Sequence, residues 1–482
     1  CCCGPPGAAS SAMPEVAPAD PGAQPSRRPA WALAAAGAAT AAAATLLAVE
    51  LWRRRAARQR RRLAVHVASP YADAALREAL ARLGLAEDPA APCQWADFVR
   101  LGWEALLAEG GEGCRRSCLY LRAGLVRKGM LAHRLAKRKV SGVLPEGLVA
   151  DVEDEEDAED LRRRLEAREP GTPSEGAEAC RQPRWVAKAS CANRGELLFL
   201  ARDAAEAVEA LRPAALGQGV VEWVVQRYVT PPLLVRGRKF HVRAHLLVSG
   251  CPRCGHSRAW LHSRHHVVLL AAAKYAPDCE DRFMHLTNRC VQAAHPEYNE
   301  ERQTLLLEEL DRELGRKGLA AQVQARMEHA LAEALAAAAS APAGFAPLPQ
   351  CFELFGADFT LEDRGHEEPG VWLLEVNAGP DLAVFGERLR PECSALLEDV
   401  LRVAVEPYLL EGGPRRSFAD AQRCACGSLA GRHGFTRCLW SAPPRTCSAA
   451  EELSGFKRRV GIAGRWARAL HEGSSVAVRG PQ

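Results

Sequence analysis

The stretch Gly370–Leu382, GVWLLEVNAGPDL, is an apolar run that ends in a glutamate, an asparagine and a turn. Side chains alternate across a β-strand with period 2, so Val371, Leu373, Glu375 and Asn377 share one face. A strand buried for packing alone does not finish a face with an acid and an amide. Cys351–Leu361, CFELFGADFTL, reads as a second strand, and EDRGHEEPG (362–370) as the polar turn of an antiparallel hairpin. Folding that hairpin about its middle brings Asp358 level with about residue 374, so oxygens of Asp358, Glu375 and Asn377 converge. Such oxygens suit a hard divalent cation like Mg²⁺, which completes its shell with water and substrate phosphates. A hairpin end dipping into solvent is the plain alternative, and the rest of the chain must decide between them.

Around the hairpin, residues 180–410 alternate β-branched runs with helical stretches. Strands are predicted at RWVAKAS, VVEWVVQRYV, RKFHVRAHLLV, AWLHSRHHVVLL, CFELFGADFTL and VWLLEVN, and helices near 203–212, 301–313, 318–339 and 390–410. The mixture predicts an α+β domain with a mainly antiparallel sheet. Upstream, residues 65–145 carry helical periodicity in ADAALREALARLGL and GLVRKGMLAHRLAKRK and read as a small leading subdomain. Between the two, residues 146–179 hold the acidic run DVEDEEDAED and read as a solvated linker.

The ends read differently. Residues 1–30 are rich in Pro, Gly, Ala and Ser and are expected to be disordered. An uncharged run from Trp31 to Val49, followed by Trp52 and RRRAARQRRR, fits a transmembrane helix over residues 31–52 with the folded part that follows in the cytosol. Its alanine content leaves a low-complexity tract or an organelle transit sequence as alternatives. Residues 411–482 are rich in Cys and Arg and are expected to be a disordered tail. The 482 residues carry 18 cysteines, scattered and read as mostly reduced. Two clusters could bind zinc: Cys251 with Cys254 is a CxxC on a turn and only half a site, and Cys424, Cys426, His433, Cys438 and Cys447 lack regular ligand spacing. A net charge of +4 does not argue for nucleic acid.

Three further stretches carry charge toward one place. In GRKFHVRAHLLVSG, Lys239, His241, Arg243 and His245 share a strand face. The following RAWLHSRHHVVLL would pair so that Arg264 stands nearly opposite Arg243. Like charges facing each other repel, so an anion between them is the natural reading, and an exposed basic face is the plain one. Lys188 ends the strand WVAKAS before a turn of small residues that lets backbone N–H groups approach a phosphate. The strand VVQRYV offers backbone and Tyr228 to a flat heterocycle.

In order along the chain, WVAKAS…NRGE, VVQRYV…PPLLVRGRKFHVRAHLLV, SRH, MHLTNRCVQ, CFELFGADF and VWLLEVNAGPDL resemble the successive motifs of the tubulin–tyrosine ligase family, a branch of the ATP-grasp ligases. The likeness covers about residues 65 to 410 and is strongest to the plant and fungal tubulin–tyrosine ligase-like domain. It implies an ATP-grasp fold with a small N-terminal α/β domain. It implies Asp358, Glu375 and Asn377 as Mg²⁺ ligands, and Lys188 and Lys239 as contacts to ATP. Gln226, Arg227, Tyr228 and Val229 would form the adenine-binding linker, Arg243 and Arg264 would hold the substrate carboxylate and acyl phosphate, and Thr287 and Asn288 would close over the phosphates. The implied reaction activates a protein carboxylate with ATP and joins it to an amino-acid amine, with tubulin among the acceptors and tyrosine, glutamate or glycine as donor. Three departures stand out: GEL at 195–197 where many relatives have GEG, His241 in place of Asp, and His265 in place of an acid. They keep open a membrane-tethered binding module of the same fold that has lost its activity.

Overall fold

The computed structural model describes residues 64–410 and 433–443, apart from 70–72, 104–105, 107–113, 170–181, 191, 193–195, 278–280, 342–343 and 436. The expected transmembrane helix at 31–52, the leading 30 residues and most of the Cys/Arg-rich tail lie outside the described residues. Among those described, no helix is long and apolar enough to cross a membrane.

The chain builds three sheets in sequence order. Strands β1 (Ala64–Ala68), β2 (Ala86–Glu87), β3 (Cys93–Ala96) and β4 (Arg115–Arg116) form a parallel sheet in the order β2-β1-β3-β4. Helix α1 (Asp73–Leu83) crosses between its first two strands, as a parallel pair requires. Its buried Leu76, Ala79, Leu80 and Leu83 repeat at helical spacing and share a core with residues near the end of the domain. Helix α2 (Lys128–Lys137) follows, and its Leu131 and Leu135 join the large central core and not the small sheet.

The acidic run does not form the expected linker. Gly147–Asp151 is strand β5, and Glu155–Glu166 is helix α3. Asp154 caps that helix by accepting hydrogen bonds from the backbone N–H of Glu156 and Asp157. Glu155, Glu156 and Asp157 crowd the positive end of the helix dipole, where acids stabilise, while Ala158, Leu161 and Leu165 are buried. The run therefore reads as charge in the sequence and as an N-terminal helical turn in space. Strands β6 (Trp185–Ala189), β7 (Leu198–Ala201) and β8 (Glu222–Arg227) complete an antiparallel sheet ordered β5-β8-β6-β7, with helix α4 (Ala204–Arg212) packed against it.

The third sheet has eight strands: β9 (Leu234–Val235), β10 (Arg238–Gly250), β11 (Ser257–Leu261), β12 (Val267–Leu270), β13 (Thr304–Leu306), β14 (Phe352–Glu362), β15 (Gly370–Ala378) and β16 (Cys438–Ala442). The 13-residue β10 is its spine, pairing with β14 along one edge and with β12 then β11 along the other. Phe352, Phe355 and Phe359 of β14 are fully buried. Helix α5 (Leu319–Ala339) lies against this sheet on Leu319, Val323, Met327, Ala330, Leu331, Ala334 and Leu335. Its many alanines allow close approach, and each buried Leu contributes about 2 kcal/mol. Helix α6 (Arg390–Ala404) covers the other core.

Two predicted elements differ in the structure. The helix expected over 301–313 is interrupted because Thr304–Leu306 pairs with β12 as an edge strand. The tail contributes β16, which pairs with β11, and Phe435 just before it is fully buried.

Candidate active site

The hairpin of β14 and β15 places Asp358 directly opposite Glu375, and a bulge follows between Asp358 and Phe359. On the other side of β14, Arg243 of β10 is the register partner of Asp358. Arg243, Asp358 and Glu375 thus form one row across three strands, with Asn377 on the same face two residues further along β15. Arg243 donates to both Asp358 oxygens through Nε and Nη2, the latter at 3.0 Å. Asn377 Nδ2 donates to Asp358 Oδ2 at 3.2 Å and to Glu375 Oε1 at 3.0 Å.

That bridging amide tests the donor set. A single atom lies within hydrogen-bond reach of both carboxylates, so Asp358 and Glu375 share a point in space, and a turned amide presents oxygen to it. Two carboxylates and an amide oxygen are hard donors that fit Mg²⁺. Among the described residues no cluster of three or more His, Cys, Asp or Glu could hold a metal ion. Cys251 and Cys254 are instead buried around Tyr408.

Cations approach this row from β6 of the second sheet and from β10 of the third. Lys188 Nζ on β6 donates to Gln226 Oε1 at 3.2 Å, and Lys239 Nζ donates to the Tyr228 hydroxyl at 2.8 Å while lying 4.0 Å from the centre of its ring. The same hydroxyl pairs with His285 Nδ1 at 2.9 Å. Burial and the nearby Lys188 push Lys239 down to about 7. Burial also lowers Lys188 to about 8, with Lys128 acting in the same direction and Glu375 against it. Burial alone would raise the Glu375 carboxyl, but Lys128, the Asn377 amide and Lys188 hold it below the usual carboxylate range. His241, its pKa lowered chiefly by burial, pairs through Nδ1 with Thr287 Oγ1 at 2.7 Å.

Thr287 and Asn288 line the same small cavity as Lys188, Asp358 and Glu375. The site thus gathers Lys188, Gln226, Tyr228, Lys239, Arg243, Thr287, Asn288, Asp358, Glu375 and Asn377. Val229 follows on the linker, half-buried.

Two expected members stand elsewhere. The Arg227 side chain turns outward to Glu146 and the Arg168 carbonyl and lies over the Trp185 ring, so only its backbone runs along the linker. Arg264 does not oppose Arg243. The ladder stops at Leu261 and resumes at Val267, which becomes the partner of Arg243, and Arg264 is exposed on the intervening loop. His265 in that loop has φ +61° and pairs with Glu392 at 3.0 Å.

One residue escaped the sequence reading. Lys128, the first residue of α2, reaches Glu375 Oε2 at 3.0 Å and the Ala192 carbonyl at 2.8 Å. Its stretch, LVRKGML, shows only an amphipathic period, which singles out no lysine. The cleft as a whole holds Lys128, Lys188, Lys239 and Arg243 against two carboxylates, an excess of positive charge that suits a polyphosphate with its cation.

The chain is 31% identical over 192 residues to a probable tubulin–tyrosine ligase of Schizosaccharomyces pombe, a match covering 39% of this chain and 43% of that protein. It is 29% identical over 252 residues to an inactive polyglycylase of Homo sapiens (46% and 35%) and 30% identical over 208 residues to a probable tubulin polyglutamylase of Caenorhabditis elegans (42% and 47%). Each match spans less than half of the relative's length. The crystallised C-terminal domain of K. lactis Pby1, an ATP-grasp enzyme, superposes with a TM-score of 0.51 at 21% identity over 74% of this chain and 95% of that one. Residues 154–410 match the tubulin-tyrosine ligase family, and with the ATP-grasp fold seen here the chain belongs to that family.

Proposed function

We propose that the protein is an ATP-dependent carboxylate–amine ligase that activates a protein carboxylate as an acyl phosphate and joins it to an amino acid. The observation that carries this reading is the row Arg243–Asp358–Glu375, whose two carboxylates line one small cavity together with Lys128 and Lys188. In this reading Lys188 and Lys239 neutralise the nucleotide phosphates, and the linker from Gln226 to Val229 flanks the adenine. Asp358, Glu375 and Asn377 would hold Mg²⁺, which supplies charge neutralisation on the transferring phosphoryl group. Arg243, fixed by its fork on Asp358, presents its remaining donor edge to the acyl phosphate, and Thr287 and Asn288 close the phosphate end. Arg264 reaches the substrate carboxylate only if its exposed loop folds inward. No side-chain nucleophile is required, since positioning and charge do the work. The relatives' names support tubulin as a candidate acceptor and tyrosine, glutamate or glycine as candidate donors.

The test is ADP formation by the full chain with Mg²⁺-ATP, tubulin and each of these amino acids, beside Glu375→Gln. Turnover dependent on one amino acid, reduced roughly a hundredfold or more by Glu375→Gln, is the expected result; an undiminished rate in the variant removes Glu375 from the metal site.

One observation favours a second reading, a binding module without turnover. Leu197 has φ +47°, the left-handed region that costs a side chain about 1 kcal/mol and that glycine adopts freely. The loop keeps the glycine conformation without the glycine, and a human relative is described as inactive. If strain at this loop silences the enzyme, Leu197→Gly gains ADP formation where the parent has none; equal rates in both remove the loop from the question.

A further inference from the structure

Strand β7 ends its sheet in the order β5-β8-β6-β7, and among the described residues no strand pairs with its outer edge. Beside that edge lies a cleft of about 1010 Å³, walled on the far side by the segment from Arg282 to Ala294. Every residue from Glu196 to Arg202 lines it, odd and even positions alike. A strand facing a cleft shows alternate residues to it, so the wall here is the strand edge itself, with its backbone donors and acceptors turned toward the opening. The side chains around it are mainly apolar, including Leu198, Leu200, Phe283, Leu286 and Val291. At its inner end the cleft meets the catalytic cavity, because Glu196 and Leu198 line both. The opposite wall runs straight into Thr287 and Asn288, which line that cavity too.

We propose that this cleft is the acceptor channel and takes an extended peptide that adds to β7 as a further strand, with apolar side chains in the stretch leading to the carboxylate to be modified. The proposal rests on the ligase reading and specifies its substrate. A nucleotide is a poor match, since Lys188, Lys239 and the Gln226–Val229 linker do not line this cleft. A free amino acid is much smaller than a space at the upper end of ordinary ligand pockets. Main-chain pairing to an open edge supplies affinity, and the apolar walls supply selection. Arg282 is exposed at the mouth, and the guanidinium of Arg202 is engaged by Glu206. The channel therefore lacks the dense positive charge that a glutamate-rich tail requires.

The test uses the full chain and carboxylate-terminated octapeptides alternating valine and serine, with a glutamate-rich octapeptide as comparator. ADP formation is followed against peptide concentration for the parent, Leu200→Glu and Cys290→Arg, the last at an exposed position on the far wall. The expected result is a rise of at least about tenfold in the peptide KM in both variants, with the KM for ATP and kcat unchanged. Backbone N-methylation at alternate peptide residues should abolish use in one phase and spare it in the other, because an added strand bonds through every second residue. Unchanged KM in the variants, or indifference to methylation phase, overturns the channel. Equal or better use of the glutamate-rich peptide overturns the stated chemistry. If no combination yields ADP, the ligase reading fails by itself, and anisotropy of a fluorescent alternating peptide then decides the channel: binding lost in Leu200→Glu supports it, and absence of binding in the parent overturns it.

Discussion

Lys239 and Lys188 are held near 7 and 8 because burial opposes their charge before any anion arrives, with Lys188 repelling Lys239 and Lys128 repelling Lys188. Phosphates restore the charged form and raise both groups toward a lysine's ordinary value. At pH 8 the free protein leaves Lys239 mostly neutral and Lys188 about half protonated, whereas the complex holds both protons. Nucleotide binding should therefore take up roughly 1.4 protons at pH 8 and almost none at pH 6. Calorimetry in buffers of different ionisation enthalpy measures this directly, and Lys239→Met should remove most of the uptake. Uptake that is equal at both pH values would place the lysines away from the phosphates. These two lysines, with Arg243, Asp358, Glu375 and Asn377, were legible from strand parity and resemblance, because period 2 fixes the face a residue shows. Lys128 was not, since its contact to Glu375 joins a helix start to a strand far along the chain. The outward turn of Arg227 was hidden for a like reason, its partners Glu146 and Trp185 lying on other elements.

At the scale of elements, the 358/375 hairpin came within a residue of the predicted register because polar turn and apolar strands agree about where it folds. The break after Leu261 was illegible, because LHSRHHVV reads as an unbroken strand and nothing local announces the positive φ of His265. What holds that loop is distant. The Ser263 N–H donates to the Gly434 carbonyl at 2.8 Å, and the His262 ring meets Phe435 edge-on at 4.8 Å. Gly434 has φ +74°, and a Cβ there would stand 2.3 Å from His262 Nε2, so the strap fits only with glycine at this point. Phe435 then anchors β16 from a fully buried position. Replacing it by alanine should cost about 3 kcal/mol, as for other large core truncations. Denaturant unfolding of Phe435→Ala reads this as a fall in midpoint at constant slope. A loss below about 1 kcal/mol would mean that the strap is not part of the cooperative core.

The molecule as a whole depends on how its small parallel sheet is tied to the two antiparallel sheets. Helical periodicity marked residues 65–145 as a leading subdomain without showing its sheet, and said nothing about the join, which is made by a residue that looks like any other arginine in RRSC. Arg115 of β4 is 1% exposed. Its Nε donates to the Ala404 carbonyl at 2.8 Å, Nη1 to the carbonyls of Gly250 and Pro349 at 2.9 Å, and Nη2 to Ser249 Oγ at 2.9 Å. The guanidinium also lies 4.4 Å from the Tyr408 ring centre and 5.3 Å from that of Phe352. One planar fork thus joins the first sheet to β10, to the segment before β14 and to the end of α6. Arg115→Met keeps the bulk and leaves these acceptors buried without donors, each costing about 1 to 3 kcal/mol. The variant should lose at least about 3 kcal/mol and unfold its first sheet ahead of the body, seen as a second, earlier transition or as early proteolysis between residues 64 and 116. Arg115→Lys, with a single charged donor centre in place of the fork, should fall between the two. If Arg115→Met unfolds in one step within about 1 kcal/mol of the parent, the two parts are held together by the apolar contacts of α1 with α6.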